Sequence, residues 1–236
     1  MAFKTIPILR GFSEISVIYE LAVKHDCVIC GGYPRYCASP RKTSRVKPAS
    51  DVDLFPKSEQ ACDNILNALK GLGYAVKHEN HISYTLTPRK DKRKELNYIP
   101  TPQIIKPIIE GRVVTLGTTE EILRNFDFTI IRAAIVSPTE VMVDEDFEED
   151  ELNNILHLKN IHCPISSLLR CCKYAKKGYF MRPAEALKLF LDWTERGPEY
   201  QQKIAELFIK SSQGKDKFGG ITQKEIDELE ALLHID

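Results

Sequence analysis

Three short stretches carry residue types that could do chemistry together: Gly31-Gly32, Ser50-Asp51-Val52-Asp53 and Phe126-Asp127-Phe128. Residues two apart on a strand share a face, so Asp51 and Asp53 would point the same way and Val52 and Leu54 would turn to the core. Two carboxylates so placed repel each other unless a cation sits between them. Mg²⁺ suits the position because it is hard, prefers oxygen and bridges to substrate phosphates. A third carboxylate on a neighbouring strand would complete a two-metal site, which activates an attacking oxygen and steadies a leaving group in phosphoryl displacement. Gly31 and Gly32 follow the apolar run Cys27–Cys30, where backbone N–H groups can cradle a phosphate. Ser50 could add a hydroxyl. Taken singly, each piece has a plainer reading: a turn, a solvated strand edge, a helix-end acid. Their order and spacing set them apart as a group.

The surrounding pattern has to position these pieces. Helical spacing of Ile15, Ile18, Tyr19 and Ala22 predicts a helix over 12–25 with Ser13 as N-cap. Cys27–Cys30 reads as a buried strand, 34–50 as a loop rich in Pro, Ser, Lys and Arg, and 51–55 as a strand. A second helix is expected over 57–69, closed by Gly71 or Gly73. Strands are expected at 81–87 and 103–109, with Arg89–Lys94 as a charged turn between them. Thr118-x-x-Glu121 is a capping box for a short helix ending near Asn125. Residues 126–136 read as one long apolar strand, returned by a turn at 137–140 into 141–143. The acidic run 144–151 reads as a linker or a helix start. Beyond it come helices only. Three run from Pro to Gly, at 164–178, 183–197 and 198–214, and a fourth opens at Thr222. The expected organisation is α+β: an α/β domain over 1–150, then an all-helical one over 151–236.

Ile-Cys-Gly-Gly at 29–32, Ser-Asp-Val-Asp-Leu-Phe at 50–55 and Phe-Asp-Phe-Thr-Ile at 126–130 together resemble the fingerprint of the DNA polymerase beta-type nucleotidyltransferase superfamily. Gly-Gly-Tyr-Pro-Arg-Tyr at 31–36 resembles the Gly-Gly-x-x-Arg-Asp of tRNA CCA-adding enzymes and bacterial poly(A) polymerases, and the 126–130 piece resembles their Arg-Asp-Phe-Thr. The likeness covers roughly residues 12–145, and the Arg170–Tyr179 stretch resembles the helical domain that often follows. The resemblance implies a mixed-sheet core, two divalent ions (Mg²⁺, with Mn²⁺ as the alternative), a nucleoside triphosphate substrate and transfer of a nucleoside monophosphate to an acceptor with loss of pyrophosphate. It implies that Gly31, Gly32 and Arg35 meet the triphosphate, that Asp51 and Asp53 bind metal, and that Asp127 is the third acid, with Asp144 as its rival. The sequence departs from the CCA-adding pattern at Tyr36, in the longer span from Gly32 to Asp51, and in length.

Other charged and aromatic positions fit around that reading. Arg41, Lys42, Arg45 and Lys47 precede the Asp-x-Asp strand, as a clamp on phosphate or as a solvated loop. Arg170, Lys173 and Lys177 fall at i, i+3 and i+7, one cationic helix face that could meet a triphosphate or an RNA backbone. Tyr174 and Tyr179 could stack on a base or sit in the core. Lys+Arg and Asp+Glu are both 33, so formal net charge is zero. That excludes a generally basic nucleic-acid coat protein and leaves a local basic site open. No run approaches a membrane span, the first residues do not read as a signal peptide, and 43% apolar content excludes a disordered chain. Seven Cys is an odd number that predicts free thiols in a reducing, cytoplasmic setting, and Cys27-x-x-Cys30 lacks the second pair a zinc site needs. The expected activity is therefore metal-dependent nucleotidyl transfer to an RNA or tRNA 3′ end. The alternatives are the same chemistry on a protein or small molecule, and a non-catalytic nucleotide-binding module.

Overall fold

The computed structural model describes residues 2–42, 46, 48–80, 82–96, 99–109, 112–113, 117–162 and 164–213. The expected helix from Thr222, the loop cations Arg45 and Lys47, His81 and Cys163 lie outside the described residues. The chain divides into two compact units, 1–153 and 154–236.

The first unit runs β1 (Phe3–Pro7), α1 (Phe12–Lys24), β2 (Cys27–Cys30), α2 (Gly32–Ala38), β3 (Asp51–Pro56), α3 (Glu59–Leu72), β4 (Tyr74–Glu79), β5 (Ser83–Pro88), α4 (Arg93–Leu96) and β6 (Thr101–Ile105). A small hairpin of β7 (Ile108–Ile109) and β8 (Arg112–Val113) follows, then α5 (Thr119–Arg124), β9 (Ala133–Ser137), β10 (Glu140–Asp144) and α6 (Phe147–Asn153). Eight strands form one mixed sheet in the order β1-β10-β9-β2-β3-β6-β5-β4. β3 and β6 are parallel, and the other neighbours are antiparallel.

Strand alternation assigns the two faces of this sheet. Ile29, Val52, Leu54, Leu86, Ile104, Ile135 and Val141 turn to one face, against Ile15, Ile18 and Ala22 of α1 and Ile65 and Leu69 of α3. Val28, Cys30, Phe55 and Ala134 turn to the other, against Ile122 and Leu123 of α5. Val52, Leu54, Ile65 and Leu69 are fully buried, each contributing about 1.5–3 kcal/mol over an exposed side chain. Asp51 and Asp53 alternate with Val52 and Leu54, so they lie on the α5 face. α3 starts where Ser58 Oγ accepts from Ala61 N at 3.0 Å, and α5 carries the expected capping box.

Several expectations are corrected. The first helix is capped at Gly11, not Ser13, and Gly11 has φ +76. A Cβ there would stand 2.5 Å from Cε1 of Tyr36, so packing by an aromatic ring selects the glycine. The start of the supposed loop at 34–50 is α2, because Pro34 sits in the first helical turn, where its missing N–H costs nothing. The long apolar strand at 126–136 is broken by a 3-10 turn at Thr129–Ile131, and only 133–137 pairs in the sheet. The charged turn at 89–94 is helical, a 3-10 turn at Lys90–Lys92 running into α4. Of the two readings of the acidic run, linker or helix start, the helix start holds. The end of the run forms α6, and Asp150 and Glu151 are buried.

The second unit contains β11 (Ile155–Leu156) and β12 (Phe180–Met181), paired in parallel, with α7 (Pro164–Ala175), α8 (Pro183–Glu195) and α9 (Pro198–Gln213). Each helix begins at its proline. It is not helices only, since β11 and β12 interrupt the expected pattern. Among the described residues, no helix is long and apolar enough to cross a membrane.

Candidate active site

β3 carries Asp51 and Asp53 into the middle of the sheet, and both side chains are half-buried with an outlet to solvent. Ser50 is exposed and its Oγ stands 3.5 Å from Asp51 Oδ1. Across from Asp53 on β2 lies Cys30, and the chain then turns at Gly31, whose N–H donates to Ala133 O at 2.8 Å. Gly31 has φ +88, in the region that favours glycine. A Cβ there would meet Asp53 Oδ2 at 3.3 Å and Phe126 Cε1 at 3.4 Å. The glycine turn is therefore pressed directly against the carboxylate. Gly32 begins α2, and a Cβ there would meet the Ala49 methyl at 3.6 Å.

Asp127 follows Phe126, whose ring meets the Gly31 turn. It is 4% exposed, and its Oδ1 accepts from Phe128 N at 3.1 Å. Its charge acts on Arg132, a fully buried arginine. Arg132 donates to the carbonyls of Phe126 (2.9 Å) and Arg124 (3.0 Å) and to Asp144 Oδ2 (3.4 Å). Burial pushes the Arg132 guanidinium below its ordinary pKa, and Asp144 and Asp127 oppose that shift. Both sequence candidates for the third acid thus neutralise one buried cation. Among the described residues, no three His, Cys, Asp or Glu side chains gather as they would around one metal ion. The strands flanking β3 offer no acid either. Cys30 and Gln103 stand beside Asp53, and Thr101 stands beside Asp51.

Arg35, expected to meet the triphosphate, lies on α2 just after the glycine turn. It is 4% exposed, and its Nε and Nη2 donate to Glu151 at 3.2 and 3.0 Å. Ser39 Oγ donates to the same carboxylate at 2.7 Å. The preceding residue, Asp150, accepts from Thr129 Oγ1 at 2.7 Å. Consecutive acids of α6 therefore hold α2, which follows the glycine turn, and the 3-10 turn, which follows Asp127. Neither acid stood out in the sequence, where the run read as a linker or a helix start; the signal available was its helical spacing after Phe147.

In the second unit, Arg170 and Lys173 are exposed on α7. Lys177 falls outside the helix, which ends at Ala175, so the expected three-cation face is a pair. Tyr174 is buried with its ring edge-on to Tyr179 at 5.5 Å, which makes both core residues rather than stacking platforms. Of the loop cations, Lys42 is exposed, and the Arg41 carbonyl accepts from Arg10 Nη2 at 3.0 Å. Cys27 and Cys30 are three apart on a strand and pack on opposite faces of the sheet, so they form no ligand pair. Burial pushes the Cys27 thiol up to about 12.

The donor set suits a hard cation. Mg²⁺ is commonly held by one or two carboxylates together with substrate phosphates and water, and Asp51 and Asp53 supply such a pair beside a glycine turn.

No protein-family model matches the sequence, and no curated protein does. Solved structures do. A tRNA-processing enzyme in an apo form aligns with 96% of this chain and 58% of its own at TM-score 0.54 and 14% identity. A CCA-adding enzyme in an apo form aligns with 100% of this chain and 55% of its own at TM-score 0.52 and 14% identity. A CCA-adding enzyme in complex with CTP aligns with 97% of this chain and 70% of its own at TM-score 0.51 and 12% identity. The chain spans little more than half the length of the first two. It has the fold shared by these CCA-adding and tRNA-processing enzymes.

Proposed function

We propose that the chain is a nucleotidyltransferase that moves a nucleoside monophosphate from a nucleoside triphosphate to a hydroxyl at an RNA 3′ end, tRNA being the acceptor the structural likeness favours. The observation that carries the reading is the pair Asp51 and Asp53 on one open face of β3, with the Gly31 turn against the Asp53 carboxylate. In the balanced reaction the acceptor oxygen bonds to the α-phosphorus, the bond from that phosphorus to the bridging oxygen of the β-phosphate breaks, pyrophosphate leaves, and the hydroxyl proton passes to solvent. Asp51 and Asp53 would hold Mg²⁺, or Mn²⁺ in its place, which supplies positive charge against the triphosphate and lowers the pKa of the attacking hydroxyl. Gly31 and Gly32 let the backbone approach the leaving phosphates, and Ser50 adds a hydroxyl beside Asp51. Arg35 and Glu151 hold α2 behind that turn. Asp127 fixes Arg132 and takes no metal. Arg170 and Lys173 are the cations of the second unit that suit an anionic partner.

The test is incubation with α-labelled nucleoside triphosphates, Mg²⁺ and a tRNA fraction. Label entering RNA in the wild type and absent in Asp53→Ala supports the reading. Label on a protein band or a small product moves the acceptor to another class. Triphosphate binding with no transfer to any acceptor reduces the chain to a binding module.

A further inference from the structure

The side of β3 away from the glycine turn carries a polar side chain level with Asp53. In the sheet order β2-β3-β6, Asp53 stands between Cys30 and Gln103. Ile104 is fully buried on the helix-covered face, so Gln103 shares the open face with Asp53, about 4.8 Å away at the backbone. Gln103 is half-buried, and its Nε2 donates to Ser83 Oγ at 2.9 Å. Ser83 is 2% exposed and its Oγ donates to Asn80 Oδ1 at 3.3 Å. This relay fixes which end of the amide is oxygen. With Nε2 so engaged, Oε1 and the second N–H of Gln103 are the groups of this side chain that a substrate could use.

We infer that Gln103 orients the attacking hydroxyl of the acceptor, an inference that rests on the nucleotidyl-transfer reading. In phosphoryl displacement the attacking and leaving oxygens lie roughly in line on opposite sides of phosphorus. The Gly31-Gly32 turn takes the leaving side, at β2. The attacking hydroxyl therefore approaches from the β6 side, where Gln103 is the polar side chain level with Asp53. Its Oε1 accepts the hydroxyl's O–H and aims a lone pair at phosphorus. An amide does not take up a proton at neutral pH, so Gln103 orders the hydroxyl without serving as its base. The position where a third acid was sought on a neighbouring strand is thus held by a neutral hydrogen-bonding group.

The experiment measures label transfer to a tRNA transcript with a free 3′-hydroxyl. Transcript and triphosphate are varied in turn, for wild type, Asp53→Ala, Gln103→Leu and Gln103→Met. Thermal unfolding checks that each variant is folded. Both Gln103 variants are expected to lose about 10–100-fold in kcat/KM for the transcript, with KM for the triphosphate unchanged. Wild-type kcat/KM for the transcript in a folded Gln103 variant, or a loss that falls on the triphosphate KM, overturns the inference alone. No transfer by the wild type, or full transfer by Asp53→Ala, overturns the nucleotidyl-transfer reading and the inference with it.

Discussion

The acids of the first unit fall into two sets with opposite fates. Asp51 and Asp53 sit half-open on β3, side by side on one face. Asp127, Asp144, Asp150 and Glu151 are sealed inside, each 4% exposed or less. The sealed acids meet partners of the same protein: Arg132, Thr129, Arg35 and Ser39. The open pair is set against a glycine turn and a buried thiol. On the proposed function the open acids are chemical and the sealed acids structural, and substitution separates the two.

The largest effect is expected at the open pair. Asp53→Ala or Asp51→Ala should lower transfer by on the order of 10²–10³-fold or more, with the unfolding midpoint unchanged or slightly raised as like-charge repulsion is relieved. Steady-state transfer beside a thermal melt checks both halves. Glu151→Ala should do the reverse. It leaves Arg35 buried without its carboxylate and should cost about 3–5 kcal/mol in denaturant unfolding. The double substitution Arg35→Met with Glu151→Met should recover most of that loss, because a buried ion pair is often no better than apolar groups that fill the same space.

Gly31→Ala probes the boundary between the sets. With φ +88 and Asp53 Oδ2 3.3 Å from the new Cβ, it should cost about 1–2 kcal/mol in backbone strain alone. It should also raise KM for the triphosphate, which initial-rate kinetics would read. The smallest effect is at Glu121. Its carboxyl is held below the usual range by the hydrogen bond from the Thr118 backbone N–H, at 2.7 Å. A lowered folded pKa means a contribution present above the ordinary carboxyl pKa and lost as pH falls through the folded value. Acid titration should therefore fray α5 in the wild type, whereas Glu121→Ala should show that fraying at neutral pH. Amide exchange at Thr118 and Ile122 follows it.

The open pair was legible in the sequence because it depends on one local rule. Alternation along a strand puts Asp51 with Asp53 whatever the sheet order, and fully buried Val52 and Leu54 confirm the register. The surroundings of Asp127 were not legible because they depend on a partner that local pattern does not name. An acid between two phenylalanines looks the same whether it faces a metal or Arg132, five residues on and beyond a 3-10 turn. That turn was hidden because Thr129-Ile130-Ile131 continues an apolar run, and apolarity alone cannot separate a strand from a buried turn. Arg35 was read as a phosphate contact because Glu151 lies 116 residues away. Gln103 passed unnoticed because an amide gains meaning only from the strand beside it, and the parallel pairing of β6 with β3 cannot be read from either strand.

The most direct test of the division into open and sealed acids is Mn²⁺ binding in the presence of a non-hydrolysable triphosphate, followed by electron spin resonance for wild type, Asp53→Asn and Asp127→Asn. Wild type and folded Asp127→Asn should bind Mn²⁺ alike, and Asp53→Asn should lose it. Loss of Mn²⁺ by folded Asp127→Asn to the same degree as by Asp53→Asn would instead make Asp127 a metal ligand beside the open pair.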